Sequence, residues 1–323
     1  MKKILVTSIG SVAGDIVIKN LKKAHHRVIG CDIYPKEWIV DALNVDVFYK
    51  APYVSNVEEY LKFIKDVCIR EEIQYVFPMI DYEIDVLNVN REWFVENNIC
   101  LCISPKATID IIRDKKLLAD FLDINSKEIN PIHTIRMSEI LNYPQWNFPV
   151  VCKPLNGRSS QGLEYIHSNE EWDALVSKVD KSNYIVQPFM EGYNVMVEIV
   201  RSEDNKCVAI TRKGGLLSTP NGCGLTVYMY QDKDLEAICI KTAEKLGIVG
   251  CVNFEFLYDE KKYYFVECNP RFSAGCEFSC MAGYDCIINH LRCFMGEMID
   301  DYNFKYNQYI ARKYEEYVTK IER

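Results

Sequence analysis

The chain has 323 residues, 49% hydrophobic and 26% charged, enough for two or three modest domains with a real core and unlike any disordered composition. Its formal net charge of -8 disfavours a general nucleic-acid or acidic-membrane binder, because such partners reward clustered Lys and Arg; an anion bound here needs a local site. The fourteen cysteines are scattered singly, mostly in apolar runs such as Asn98 to Ile103, and read as buried free thiols of a reducing cytosol rather than a disulfide scaffold.

Met1 to Thr7 carries too few apolar residues for a signal sequence, and no apolar run approaches a membrane span. A cytoplasmic protein is expected. No CxxC pair or HExxH motif offers zinc a site.

The first hundred residues alternate short β-branched runs with amphipathic stretches, the pattern of a parallel α/β sheet. Ile4 to Thr7, Arg27 to Cys31, Gln74 to Phe77 and Ile99 to Ile103 are the expected strands. Ser55 and Glu58 have the spacing of a capping box, after which Tyr60, Leu61, Ile64, Val67 and Cys68 recur at helical spacing. Ser104-Pro105 reads as a cap and first-turn proline, and the boundary of the first domain is placed at residue 108. The turn Ser8 to Gly14, with Asp32 after the second strand, invites a dinucleotide reading. The first glycine of GxGxxG is missing, and any doubly wound sheet needs small residues at that turn for packing.

In the second half, Val150-Val151-Cys152-Lys153-Pro154, the loop Leu155 to Gly162 and the apolar Leu163 to Ile166 read as strand, loop, strand. Such a loop can fold over a polyphosphate while Lys153 supplies positive charge, or it can be a solvated hairpin with an exposed lysine. Tyr184 to Gly192 is an apolar strand entering a proline-containing connector, which offers an adenine edge backbone groups and the apolar Phe189 and Met190, or is simply a buried strand leading into a turn.

The hairpin Cys251 to Asn269 carries the sharpest signal. Side chains alternate faces, so Asn253 and Glu255 share one face and Phe254 and Phe256 the other. A three-residue loop at Glu260 to Lys262 would set Glu255 opposite Glu267 and Asn253 opposite Asn269. Opposed carboxylates among Phe, Tyr, Val and Cys shift a pKa or recruit a cation, and magnesium, which takes one or two carboxylates and completes its shell with phosphate and water, resolves the conflict. The bland alternative is an exposed acidic sheet face.

Taken in order, Lys115 in Arg113-Asp114-Lys115, Lys153 with its loop, Gln187-Pro188-Phe189 and Glu267-Cys268-Asn269-Pro270-Arg271 resemble the motifs of the ATP-grasp superfamily, in particular its carbamoyl-phosphate-synthase-like branch. The resemblance implies an α/β domain over 1–108 and an ATP-grasp fold of two α+β subdomains over 109–300 with a small lid at about 120–186; the acidic and aromatic C-terminal tail over 301–323 itself reads as a helix at Tyr309 to Ile321. The resemblance also implies that Lys115 and Lys153 bind ATP phosphates and that the loop with Gly157, Ser159, Ser160 and Gly162 covers them. Gln187, Pro188, Phe189 and Met190 would line adenine, and Glu255, Glu267 and Asn269 would hold magnesium, or manganese in its place. Arg271 and Arg212 would meet the transferred phosphoryl group. The implied activity is ADP-forming ligation of a small-molecule carboxylate to an amine or similar nucleophile, with a homodimer left open.

Two departures from the pattern stand out. Asn194 occupies the position where many relatives place a ribose-binding glutamate, and Ser273-Ala274-Gly275 stands where a glycine pair is frequent. Asp81 and Glu83, beyond the third expected strand, either hold an amine or cap the following helix. The single copy of the motifs is too short for a full carbamoyl phosphate synthase. A protein kinase is excluded by the lack of HRD and DFG. A nicotinamide-dependent oxidoreductase rests on the first turn alone, and a non-catalytic ATP- and magnesium-binding regulator is the main rival to the ligase.

Overall fold

The structure, a computed structural model, describes residues 1–126, 128–144, 147–157, 161–219, 223–302 and 304–322. The first unit is a five-stranded parallel sheet built from β1 (Lys3–Val6), β2 (Arg27–Asp32), β3 (Val47–Lys50), β4 (Tyr75–Phe77) and β5 (Cys100–Leu101), in the order β3-β2-β1-β4-β5. Helices α1 (Gly14–Lys23), α2 (Val57–Arg70), α3 (Asp81–Val89) and α4 (Arg91–Glu96) connect the strands. Both sheet faces are apolar because both are covered. Ile4, Val6, Val28 and Phe77 pack with Val17, Ile18 and Leu21 of α1, whereas Leu5, Ile29 and Val76 pack with Tyr60, Ile64 and Val67 of α2 and with Ile84 and Leu87 of α3.

Three local expectations are corrected here. The edge strand β3 had no place among the expected strands; its Val47, Phe48 and Tyr49 are half-buried and give a weaker apolar signal than the central strands. Helix α2 starts one residue later than the capping box implied: Asn56 precedes it and donates through Nδ2 to Glu59 at 2.6 Å, the same spacing shifted by one. Ser104 does not cap the next helix. Its hydroxyl donates to the Val249 carbonyl (2.9 Å) and accepts from the Val249 N–H (3.1 Å), stitching the first unit to the rest of the chain.

Helices α5 (Lys106–Arg113) and α6 (Lys115–Asn125) lead to β6 (Asn130–Pro131) and then to a four-stranded antiparallel sheet. That sheet contains β7 (Ile135–Arg136), β8 (Val150–Pro154), β9 (Glu164–Ile166) and β10 (Tyr184–Pro188), ordered β7-β10-β8-β9, with α7 (Asn169–Val176) on it. Its small core gathers Met137, Val150, Cys152, Ile166, Trp172 and Val186.

The large sheet uses β11 (Tyr193–Arg201), β12 (Cys207–Ser218), β13 (Gly224–Met229), β14 (Gly250–Tyr258), β15 (Tyr263–Asn269) and a last strand, β16 (Gln308–Ala311), in the order β16-β13-β12-β11-β14-β15-β6. One face, with Val195, Val197, Ile199, Phe254 and Phe256, is covered by α8 (Lys233–Leu246) and α6. The other face is apolar near Val200, Val208 and Cys251, where α10 (Cys286–Met295) and the first unit cover it after the short α9 (Cys276–Met281). Further along, the same face turns polar.

The tail is also corrected. Residues 309–321 do not form the expected helix: Tyr309 and Ile310 pair with Tyr228 and Val227 of β13, because a free sheet edge offers backbone partners and a tyrosine neighbour at 4.7 Å between ring centres. All fourteen cysteines are unbridged. Among the described residues no helix is long and apolar enough to cross a membrane.

Candidate functional site

The polar patch on the large sheet is set by strand register. Along β11, Val195, Val197 and Ile199 face α8, so Asn194, Met196 and Glu198 face the other way, beside Leu257, Glu255 and Asn253 of β14. Between β14 and β15 the pairs Tyr258 with Tyr263, Leu257 with Tyr264 and Phe256 with Phe265 are regular; the ladder then skips Val266, so that Glu255 faces Glu267 and Asn253 faces Asn269. Without that bulge Glu255 would face Val266. The expected pairing is therefore reached by another route than a three-residue loop. The turn has four residues, tied by Asp259 accepting from the Lys261 (2.9 Å) and Lys262 (2.7 Å) N–H groups, and the bulge restores the register.

A cleft of about 560 Å³ lies between this patch and the four-stranded sheet. Lys115, Lys153, Gly157, Gln187, Pro188, Phe189, Met190, Asn194, Glu255 and Glu267 all line it. Ser159 and Ser160, named with the loop, lie outside the described residues. Gly162 sits beside the loop's base at φ +69°, where an added Cβ would meet Pro154 and the Tyr184 hydroxyl. A second glycine, Gly192, is needed at the connector because a Cβ would come within 2.7 Å of the Tyr258 carbonyl oxygen.

At one end of the cleft, charge is concentrated. Asp114 caps α6 through the Lys116 and Leu117 N–H groups, which projects Lys115 inward, where its Nζ donates to the Gly157 carbonyl (2.8 Å) and sits 3.4 Å from Glu267 Oε2. Lys153 is only 8% exposed, and burial lowers its pKa to about 8, with Lys115 pushing the same way and Glu267 opposing. Burial, followed by the charge of Glu267, raises the Glu255 carboxyl to about 7. One oxygen of Glu255 accepts from the amides of Asn269 (2.8 Å) and Asn253 (3.3 Å).

At the other end are hinge and aromatic groups. The Gln187 amide is already engaged, donating to Thr134 Oγ1 at 2.8 Å, so the connector offers the cleft its backbone rather than this side chain. Phe189 meets the Tyr165 ring edge-on at 5.8 Å.

Four further charged residues are placed by partners of their own. Arg271, on the turn after β15, donates from Nε to Asp81 Oδ2 (2.9 Å) and from Nη2 to Asn269 Oδ1 (3.3 Å); burial works against its charge, but Asp81, Glu255 and Glu267 outweigh this and raise its pKa. Arg212 does not line the cleft. It lies beneath, 2% exposed, donating to Glu198 Oε2 (2.7 Å), Asn253 Oδ1 (2.8 Å) and Ser273 Oγ (2.9 Å). Glu83 is buried and accepts from Thr7 (2.5 Å), Ser8 and Tyr60 (both 2.9 Å), so it ties the first turn to α3. Asp32, largely buried, accepts from the Gly10 (2.9 Å) and Tyr34 (3.2 Å) N–H groups and so braces the first turn.

Glu198 was missed by the sequence reading. The available signal was the alternation Asn194, Met196, Glu198 in a strand whose opposite face carries Val195, Val197 and Ile199. Tyr165 meets Phe189 within the four-stranded sheet's own surroundings, whereas Asp81 acquires its position through Arg271 of another unit.

Comparison with known proteins fits this geometry. A family model described as an ATP-grasp in the biosynthetic pathway with Ter operon matches residues 180–316, and one for the PylC-like N-terminal domain matches 4–102. The carbamoyl phosphate synthase large chain of Clostridium perfringens is 24% identical over 223 residues, covering 65% of this chain and 21% of the relative; the chain thus spans about a fifth of that protein. The D-alanine–D-alanine ligase of Lacticaseibacillus casei is 25% identical over 165 residues, covering 45% of this chain and 46% of the relative. Among solved structures, a biotin carboxylase–β,γ-ATP complex from Campylobacter jejuni superposes with a TM-score of 0.77 at 16% identity, covering 95% of this chain and 74% of that one, which speaks to the fold.

Proposed function

Because the chain belongs to the ATP-grasp superfamily, we propose that it is an ADP-forming ligase that activates a small-molecule carboxylate as an acyl phosphate and joins it to an amine or similar nucleophile. The observation that carries this reading is the juxtaposition of Glu255 and Glu267 with Lys115 and Lys153 at one end of a nucleotide-sized cleft.

The donor set suits a hard divalent cation. Among the described residues no three His, Cys, Asp or Glu side chains assemble as a metal cage, and two opposed carboxylates with Asn269 beside them match an ion that draws its remaining oxygens from phosphate and water. Magnesium, or manganese, would be held by Glu255, Glu267 and Asn269. Once bound, such an ion neutralises charge on the phosphate oxygens.

Each protein group then has a physical task. Lys115 and Lys153 hold phosphate oxygens; Gly157, Gly162 and the loop between them cover the phosphates. Gln187 through its backbone, with Pro188, Phe189 and Met190, receives adenine, and Asn194 hydrogen-bonds ribose without the charge a glutamate would add. Arg271 stabilises the phosphoryl group in transit. A substrate carboxylate oxygen attacks the γ-phosphorus as the bond to the β-bridging oxygen breaks and ADP leaves; the nucleophile then attacks the acyl carbon, the C–O bond breaks, and phosphate leaves as the amine sheds its proton. Arg212, beneath the patch, contributes by holding Asn253 and the turn at Ser273.

The unbridged thiols support a cytoplasmic setting. The deciding experiment is chromatography of spent nucleotide from the purified chain with magnesium, ATP and a panel of carboxylates and amino acids. Substrate-dependent ADP and phosphate are expected; AMP and pyrophosphate would overturn the mechanism.

A further inference from the structure

The turn that carries Arg271 leaves the large sheet, yet the carboxylate that grips it comes from the first unit, 190 residues earlier in the chain. Asp81 opens α3, is 2% exposed, and accepts from Arg271 Nε at 2.9 Å. Its second oxygen lies 3.4 Å from Arg113 Nη1. Arg113 in turn donates to Asp85 through Nε (2.6 Å) and Nη2 (2.9 Å), and from Nη2 to the Asn156 carbonyl (3.1 Å), one residue before Gly157, whose carbonyl receives Lys115. An Arg–Asp–Arg bridge thus connects the turn bearing Arg271, the start of α3 in the first unit and the backbone at Asn156, next to the cleft-lining Gly157.

A buried carboxylate between two guanidinium groups has a geometric consequence. A guanidinium is a planar fork, so fixing its Nε edge on Asp81 fixes the direction of its Nη edge, here toward Asn269 and the Glu255–Glu267 pair. Neither cleft carboxylate makes a hydrogen bond with Arg271 among the described residues, so its orientation is not set by the proposed cation ligands, Asn269 excepted.

We propose that Asp81 is a positioning residue for the phosphoryl-transfer step: it holds Arg271 so that the fork meets the γ-phosphoryl group in transit but not in the ground state. This rests on the ligase reading above. It makes the first unit an active participant in the chemistry of the nucleotide-binding half.

The test compares two probes on the full-length chain: MgATP for the ground state and MgADP with aluminium fluoride for the phosphoryl group in transit, each by calorimetry. Asp81→Asn should weaken the aluminium fluoride complex by about 10- to 100-fold, the scale of a small misplacement of a reacting group, while MgATP affinity changes less than about threefold. Arg271→Lys keeps the charge but not the fork, and should show the same split; it also serves if Asp81→Asn fails to fold. Equal loss of both probes in the variants would mean a merely structural role, and retention of both would overturn the proposal while leaving the ligase reading intact. A wild-type chain that binds neither probe overturns the ATP reading and, with it, the role of Asp81.

Discussion

Replacing Glu267 by Gln removes one of two opposed carboxylates and leaves shape almost unchanged, so its effects on activity and on stability should diverge. Cross-strand neighbours lie about 5 Å apart, and at an effective dielectric of about 20 two like charges at that distance repel by about 3 kcal/mol, less when one is partly exposed, as the 24% exposed Glu267 side chain is. The variant loses this repulsion together with the 3.4 Å ion pair to Lys115, and the two changes oppose one another. The metal-free melting temperature should stay constant or rise. ADP formation should fall by about 100-fold or more, equivalent to about 2.7 kcal/mol of transition-state stabilisation. Cation dependence sharpens the test. Glu255 is raised from 4.5 to about 7, so the stability it contributes is full below pH 4.5 and is lost as pH rises through 7; a divalent cation offsets that loss. Magnesium should therefore raise the wild-type melting temperature more at pH 8 than at pH 6, by scanning calorimetry, and the Gln variant should lose most of this difference. Retained ADP release in a folded Gln variant would refute the assignment of these carboxylates to a cation.

Arg271→Ala should slow ADP formation by about 100-fold or more in a steady-state assay, the cost of removing one charge-stabilising group; an unchanged rate would remove Arg271 from the chemistry. Lys153, with its pKa lowered to about 8 by burial, loses its charge as pH rises through that value, so ATP affinity should weaken above pH 8. Calorimetry at pH 8.5 in buffers of different ionisation enthalpy should then register proton uptake on ATP binding. Gly14→Ala should destabilise the fold by more than about 1 kcal/mol in urea titrations, because the added Cβ would lie 1.8 Å from the Ile9 carbonyl oxygen, which cannot yield without moving the first turn. Wild-type stability in that variant would show that the turn can shift at little cost.

Local patterning alone determined much of this protein. The short unbroken apolar runs in Lys3–Val6 and Arg27–Asp32 mark strands covered on both faces, and the 3.6-residue spacing of Tyr60, Ile64 and Val67 marks the helix that covers one of them. Alternation also put Asn253 with Glu255 on one face, since side-chain direction in a strand depends only on residue parity. What parity does not settle is which residue of the neighbouring strand stands opposite, and here a four-residue turn and a skipped Val266 together decide that Glu255 faces Glu267. The tail at Tyr309 to Ile321 shows the same limit from the other side: its spacing suits a helix, but an open sheet edge at β13 offers Tyr309 and Ile310 backbone partners that no local pattern records. The roles of charged residues were the least legible. Arg212 and Arg271 look alike in the sequence, yet one is locked under the patch by Glu198 and Ser273 and the other is held at its rim by Asp81. Only packing between distant segments distinguishes them, because the position of a long side chain is chosen by the partner it reaches, and that partner is supplied by the tertiary fold.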